Sequence, residues 1–466
     1  MRIKTLNSLW IHEAGYRLDS NPYMSGAIEA KVTIEAANLE KADLVELTHG
    51  GSDGLINPGR IKRIWAKSSD HGRKFLSSTD ILKSNQSYIR AISEKAVRDN
   101  PKLIIHQGDI LITRAGTIGR MAFTREDMHE FACSEDVLRV IPDLEKIPGG
   151  YLYAYLRSKF GVPLILSSTY GAIIQHIEPH HLKDLPVPRL PKNIEAKIDE
   201  LVLKASSYRT KANRLIEYSR KEICELLKVN EKRDNNDGLK VNSVPMSEVK
   251  SARRFDVLYF SRDAQKIIEN IRESDHRRLN EIATVVKPGM FKRIMSTPEN
   301  NGIPFYTGSE LFLTELNPKY FVSKKTQHIQ QCVLDEYWIL LQAFGQRGGL
   351  IARAMMTTKR LKNSSATDLQ IQIKLKSKFD AGFVLAFIDS KPGYSTVIRT
   401  PIGGSIPHIN PKDVEDILVP WPNKTIRERI GKKVVEAWEL RDSAQTFEEK
   451  AIKMVEDAIE YAAPKH

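Results

Sequence analysis

Residues 176–188 read "HIEPHHLKDLPVP", and residues 408–420 read "HINPKDVEDILVP". The two stretches lie 232 positions apart in a chain of 466. At that offset residues 171–227 align with 403–459 without a gap. Identities include Gly171/Gly403, Ile174/Ile406, His176/His408, Ile177/Ile409, Pro179/Pro411, Asp184/Asp416, Val187/Val419 and Pro188/Pro420. They continue through Lys192/Lys424, Ile194/Ile426, Ile198/Ile430, Val202/Val434, Ala205/Ala437 and Arg209/Arg441. A gapless match of this length marks an internal duplication. Fainter echoes lie upstream. "YRLD" (16–19) faces "RRFD" (253–256), and "GDILITRAGTIGRMAF" (108–123) faces "EYWILLQAFGQRGGLIARAMM" (336–356).

The quoted stretch reads as a joint. An isoleucine strand end meets Pro179 or Pro411, a short helical turn carries Leu182 or Val414 inward, and Val-Pro ends the turn. Proline fixes φ and disfavours helix in the residue before it, so it punctuates the chain here. His176 and His408 read as packing residues of this joint. No second ligand recurs beside them, since His180 and His181 become Lys412 and Asp413.

Past each joint the pattern changes. Ile194, Ile198, Leu201, Ala205, Tyr208, Ala212, Leu215, Ser219 and Leu226 follow a heptad step, as do Ile426, Ile430, Ala437, Leu440, Ala444, Phe447, Ala451, Met454, Ala458 and Tyr461. This spacing predicts two long helices that bury their seams against each other. Residues 192–227 contain no Pro or Gly, and a helix of that span is roughly 54 Å long. Before the helices, "KLIIHQGDILIT" and "EYWILLQAF" read as strands. Residues 149–166 and 380–398 read as helices with a break, Asp380 being placed as an N-cap. The fold expected is α+β: two globular domains, residues 1–191 and 244–422, each feeding a long helix, 192–229 and 423–466. The polar run 230–243 reads as the linker between halves.

Composition is that of a soluble chain, with 41% hydrophobic and 28% charged residues. No apolar run is long enough to span a membrane, and "MRIKTLNSLW" lacks the apolar segment of a signal peptide. Cys133, Cys224 and Cys332 have neither a zinc-type spacing nor an even count, so reduced thiols and a cytoplasmic setting are expected. The net charge is +13 and lies unevenly: +3 over residues 1–191, +2 over 192–239, +8 over 240–422 and zero over 423–466. A basic excess of this kind suits a polyanion partner. Catalytic signatures are missing. No P-loop is present, and "NPY" (21–23) lacks the second proline of an adenine methyltransferase motif. The Gly-rich runs 50–54 and 345–349 have no following Lys-Ser/Thr. A nuclease quartet drawn from Pro142, Asp143, Glu195 and Lys197 fails, because the last two sit in the heptad helix. The chain reads as a binding protein rather than an enzyme.

The repeated joint, the Arg-apolar-Asp openings, the duplicated halves and the two seam-bearing helices together resemble the specificity subunit of type I restriction-modification systems. The resemblance covers essentially the whole chain and is strongest over 104–227 and 333–461. It is weak over 20–100 and 257–332, where that family's target recognition domains diverge. It implies two recognition domains separated by an antiparallel pair of coiled-coil helices, with a pseudo-twofold relation between the halves. It also implies double-stranded DNA as ligand, read as two half-sites with a gap. Methyltransferase subunits and restriction/translocase subunits are the implied partners. No cofactor is expected in this chain itself. S-adenosylmethionine, and ATP with Mg for restriction, are expected on the partners. Two alternatives stay open: the specificity subunit of a combined restriction-methylation enzyme, and a non-catalytic structural adaptor.

For DNA contact the cations, amides and aromatics of loops and strand ends are the candidates. In the first half these are Arg60, Lys62, Arg63, Lys67, Arg73 and Lys74, then Arg114 and Arg120 around a glycine turn, and Tyr170. In the second half they are Lys287, Lys292, Arg293, Gln346, Arg347, Arg353, Lys359, Arg360 and Lys362. Lys287, Lys292, Arg293, Arg347, Lys359 and Arg360 are expected to form one cluster.

Overall fold

The computed structural model describes residues 5–6, 8–13, 16, 21–66, 71–167, 176–229, 243–290 and 292–464. The chain divides into two compact units: residues 1–210 with 443–466, and residues 211–442. Each is α+β, and each contains one half of each long helix.

In the first unit the central strand Ile110–Thr113 is buried at all four positions, so it carries an unbroken apolar run rather than an alternation. It pairs antiparallel with Val137–Val140 and Met121–Phe123, and Leu55–Ile56 completes the four-stranded sheet. A second sheet orders Ala91–Ser93, Gly72–Leu76 and Ala132–Cys133, the last pair being parallel. The second unit repeats this plan. Its four-stranded sheet orders Thr284–Val286, Gln370–Lys374, Ile339–Gln342 and Ala354–Met356. Its second sheet contains Tyr320–Val322, Ile303–Tyr306 and Ser365–Ala366, again with a parallel last pair, and adds Met295–Ser296. The duplication therefore extends through 20–100 and 257–332, where the sequences echo each other least.

The quoted stretch is a joint in both units. Pro179–Leu182 forms a 3-10 turn and Pro411–Glu415 a short helix, and each turns a buried side chain inward, Leu182 or Val414. The Val-Pro segment is then a strand. Pro186–Arg189 pairs antiparallel with Glu40–Asp43, and Leu418–Pro420 pairs with His276–Arg278. The joint thus closes on the start of its own half. His408 exchanges both backbone hydrogen bonds with Ile402 and stacks on Phe344 at 5.6 Å, a packing role.

The helices before each joint are broken as the sequence suggests: Gly149–Leu156 and Gly161–Ser167 in one unit, Lys378–Asp389 and Lys391–Ile398 in the other. Asp380 is not the N-cap. Ser377 is, accepting from the Asp380 amide, and the Asp380 carboxylate binds Arg427 at 2.9 Å instead. A helix begins where the side-chain oxygen reaches back to the free amides, and Ser377 sits three residues earlier.

The long helices are Lys192–Leu226 and Lys424–Ala462. In the second unit Arg441 donates to Asn213 and Lys433 to Glu222, so the two segments run antiparallel. In the first unit Ile198 and Val202 share a core with Ala451, Val455 and Ile459. The buried stripe is wider than a two-position seam, because Val202, Ile216 and Ile223 are buried as well. Each helix half packs on its unit's globular core in addition to the other helix, and that requires a broader apolar face. Where the helices start, an ion pair of reversed polarity fixes the entry. Glu195, buried in the first helix, accepts two bonds from Arg189 and one from the Leu190 amide. At the matching position of the other helix Arg427 binds Asp380 and the Pro422 carbonyl. Glu195 is therefore a structural anchor. The linker run falls almost wholly outside the described residues, as does the "RLD" of the first opening. In the second opening Arg254 binds Asp256 and the carbonyls of Thr400 and Pro401, bracing the chain that leads into the joint.

Candidate nucleic-acid interface

Both units gather cations at one end of the four-stranded sheet. In the first unit Ile110–Thr113 runs into the glycine loop at that end, and Val137–Val140 begins there. The Arg114 amide donates to Asp136, and the Thr113 and Arg120 backbones bond each other across the loop. Gly116 and Gly119 take φ of 77° and 78°, which side chains rarely adopt, so the turn requires glycine. Arg60 and Arg63 reach the same end by sharing Glu135, at 3.8 and 3.1 Å. The Arg114 guanidinium is committed to Glu178 of the joint. It therefore anchors the loop to the joint. Arg120 meets no carboxylate among the described residues.

In the second unit the corresponding loop is longer. Gln342 and Arg353 bond as Thr113 and Arg120 do, but ten residues lie between them instead of six. Gln346 donates to the Ser405 carbonyl at 2.6 Å and Arg347 to Pro401 at 3.2 Å, holding the loop against the chain entering the joint. Lys287 lies over the Phe344 ring at 5.3 Å, and Arg353 over Tyr394 at 4.0 Å. Lys287, Gln346 and Arg347 are thus brought together by one loop and its support.

The cations of the turn past the other strand end do not join them. The strands Ile339–Gln342 and Ala354–Met356 are antiparallel, with Ile339 opposite Met356. The loop carrying Arg347 leaves one end of this pair, and the turn Lys359–Leu361 lies past the other. Lys359, Arg360 and Lys362 are therefore separate from Arg347, which corrects the expected single cluster. Lys362 is held by Asp335 and Glu336 at 3.2 and 3.0 Å, and its hydrogen bonds to Glu336 and then Asp335 raise its pKa. The Arg360 amide donates to Asp442. Lys359 is exposed.

On the second sheet of the first unit Arg73 bridges Glu94 and Glu130 at 2.9 and 2.5 Å; the Glu130 hydrogen bond leads in raising its pKa. Its charge is already answered. Lys74 lies over the Phe131 ring at 5.0 Å. Arg90, which sequence reading passed over, sits 3.9 Å over Trp65. Lys67 and Tyr170 lie outside the described residues.

A second repeat, missed at the offset of 232, becomes visible in the structure. Residues 58–64 read "PGRIKRI" and residues 288–294 read "PGMFKRI", 230 positions apart. Arg63 lies over Phe75 at 5.6 Å and binds Glu135; Arg293 lies over Phe305 at 4.8 Å and approaches Asp368 at 3.9 Å. The Ser93 amide donates to the Ile64 carbonyl and the Ser323 amide to Ile294, both at 2.8 Å. Ser77 with Asp80, and Thr307 with Glu310, build the same turn just past the strand that follows.

Among the described residues no group of three or more His, Cys, Asp or Glu is placed to hold a metal, and no helix is long and apolar enough to cross a membrane. The three cysteines are free and buried; burial pushes Cys133 up to about 12 and Cys332 to about 11.

No family model matches the sequence, and no curated protein does. Solved structures do. The S subunit of a type I restriction-modification system from M. genitalium is 14% identical, covering 92% of this chain and 97% of its own, with a TM-score of 0.37. The HsdS subunit from Thermoanaerobacter tengcongensis is 11% identical, with coverages of 91% and 96% and a TM-score of 0.27. A chain from a study of assembly and conformational transition of the type I R-M system is 13% identical, with the same coverages and TM-score. All three are from type I restriction-modification systems, and two of them are specificity subunits.

Proposed function

We propose that this chain is a DNA sequence-recognition subunit that reads a bipartite target through two related units and directs partner methyltransferase and restriction subunits. The observation that carries this reading is the duplication itself. Both halves build the same sheets and joint, and both collect cations at the same sheet end. The loops there differ in length and in side chains, as two readers of different base sequences require. The reading domains are residues 1–191 and 244–422, with the helices 192–229 and 423–466 and the linker 230–243. The chain is non-catalytic. S-adenosylmethionine, and ATP with Mg, belong to the partners, and the assembly works in the cytoplasm. The base to be methylated leaves the stack for the partner's site.

The test is to co-purify the chain with its partners and map methylated bases across a genome. A bipartite target with an unread gap is expected. A continuous target, or none, would overturn the reading. A gel shift that finds no DNA binding by the assembled complex would leave the adaptor alternative.

A further inference from the structure

We infer that Lys62 and Lys292 are equivalent phosphate contacts, one in each unit and indifferent to base sequence. The inference rests on the DNA-reading role proposed above. The repeated Pro-Gly-x-x-Lys-Arg-Ile run occurs in the two regions whose sequences otherwise diverge most. Its arginine and isoleucine repeat for local reasons: Arg63 and Arg293 cover a buried phenylalanine and meet an acid, and Ile64 and Ile294 accept a strand hydrogen bond. Its lysine has no such reason. Lys62 and Lys292 are exposed, and neither side chain meets a partner among the described residues. Gly289 is similar. Its backbone is not left-handed, and a Cβ there would meet nothing within 4 Å. At Gly289 neither strain nor internal packing asks for glycine, whereas at its counterpart Gly59 a φ of 73° does, so the lysine is the shared feature left without a local reason. Two readers of different sequences must differ in their base contacts. Phosphates are the same under every base, so phosphate contact is what diverged readers can share. Arg63 and Arg293, pinned by ring and carboxylate, fix the position of the neighbouring lysine in the segment that bonds the second sheet.

The competing explanation is that these lysines guard an exposed strand edge against aggregation. A salt titration separates the two. The assembled complex is titrated against a mixed-sequence duplex pool, with the chain as wild type, Lys62→Gln, Lys292→Gln, the double variant, and Lys→Arg at each position. Each Gln variant is expected to flatten the log K against log salt slope by about 0.9, and the double variant by about 1.8. Each loss corresponds to about eightfold weaker binding at about 0.1 M salt. The Arg variants should keep the wild-type slope. An unchanged slope in either Gln variant overturns the inference, and aggregation without a slope change assigns the lysines to edge protection. A wild-type assembled complex that binds no duplex overturns the DNA-reading role itself, so the two failures are distinct.

Discussion

Glu448 shows how much a single buried charge contributes to the first unit. It is almost fully buried, bonded by both Arg209 nitrogens and by Arg157 at 3.2 Å. Burial alone pushes its carboxyl up, but Arg209, with Arg157 and Arg125 behind it, holds it below the usual range. Lys or Met at this place would leave the arginines facing no anion. Glu448→Gln already removes the charge, and the uncompensated guanidinium pair should cost about 3–5 kcal/mol in urea denaturation. The pH sign follows. A lowered folded pKa gives stability that is present above the unfolded value, near 4.5, and lost as pH falls through the folded value. Wild type should therefore lose stability below about pH 4.5 by a step that the Gln variant lacks. At the surface, Arg347 donates among the described residues to the Pro401 carbonyl, and its loop is exposed. Arg347→Ala should cost about 1–3 kcal/mol on the true target and relax one base position, measured on duplexes substituted position by position. An equal loss on every duplex would make Arg347 a phosphate contact instead. The cations of the interface were legible in the sequence, but their commitments were not. Arg114 and Glu178 are 64 positions apart, and Arg73 answers two acids on different segments. Only the folded chain brings such partners together.

The elements differ in how plainly the sequence announces them. The long helices were legible because a heptad stripe sustained over many turns leaves a periodic trace. The strands have two to five residues each, and buried ones such as Ile110–Thr113 do not alternate, so no period marks them. The "PGxxKRI" repeat was hidden for another reason. Loop lengths shift the offset between halves from 230 near residue 60 to 233 after the glycine loop, where the second half has four more residues. A comparison at 232 steps past both. Where the helices meet, small residues set the spacing. Ala205, Ala212, Ala437, Ala444 and Ala451 are fully buried, and Ala212 and Ala437 share a cluster with Ile216. Ala205→Leu and Ala437→Leu should each overpack their unit, at a cost of about 1–3 kcal/mol in the urea midpoint. A Leu variant as stable as wild type would show that the helix contact is loose at that position. A fall in stability from Ser207→Leu on the exposed face should not occur, which controls for helix propensity.

At the scale of the molecule, each joint closes within its own half. Pro186–Arg189 pairs with Glu40–Asp43, and Leu418–Pro420 with His276–Arg278, so the strand that ends each half is fastened to the strand near its beginning. The tyrosines Tyr151 and Tyr155 add to this in the first unit by donating to the carbonyls of Pro188 and Pro186. The globular part of a half is therefore bounded by contacts internal to it, and the long helix leaves just beyond them. This geometry makes residues 1–190 an exchangeable cassette. Replacing them with the same region of a related chain cuts after the strand Pro186–Arg189 and leaves Glu195 to find its arginine at position 189, so the donor must supply Arg there to keep the helix entry intact. Methylation mapping of the chimera in its assembled complex should show one half-site changed and the other retained, with the gap as before. A chimera altered in both half-sites would mean that the two units read the target jointly. A chimera altered in neither would place recognition outside residues 1–190, and in both cases the modular reading fails.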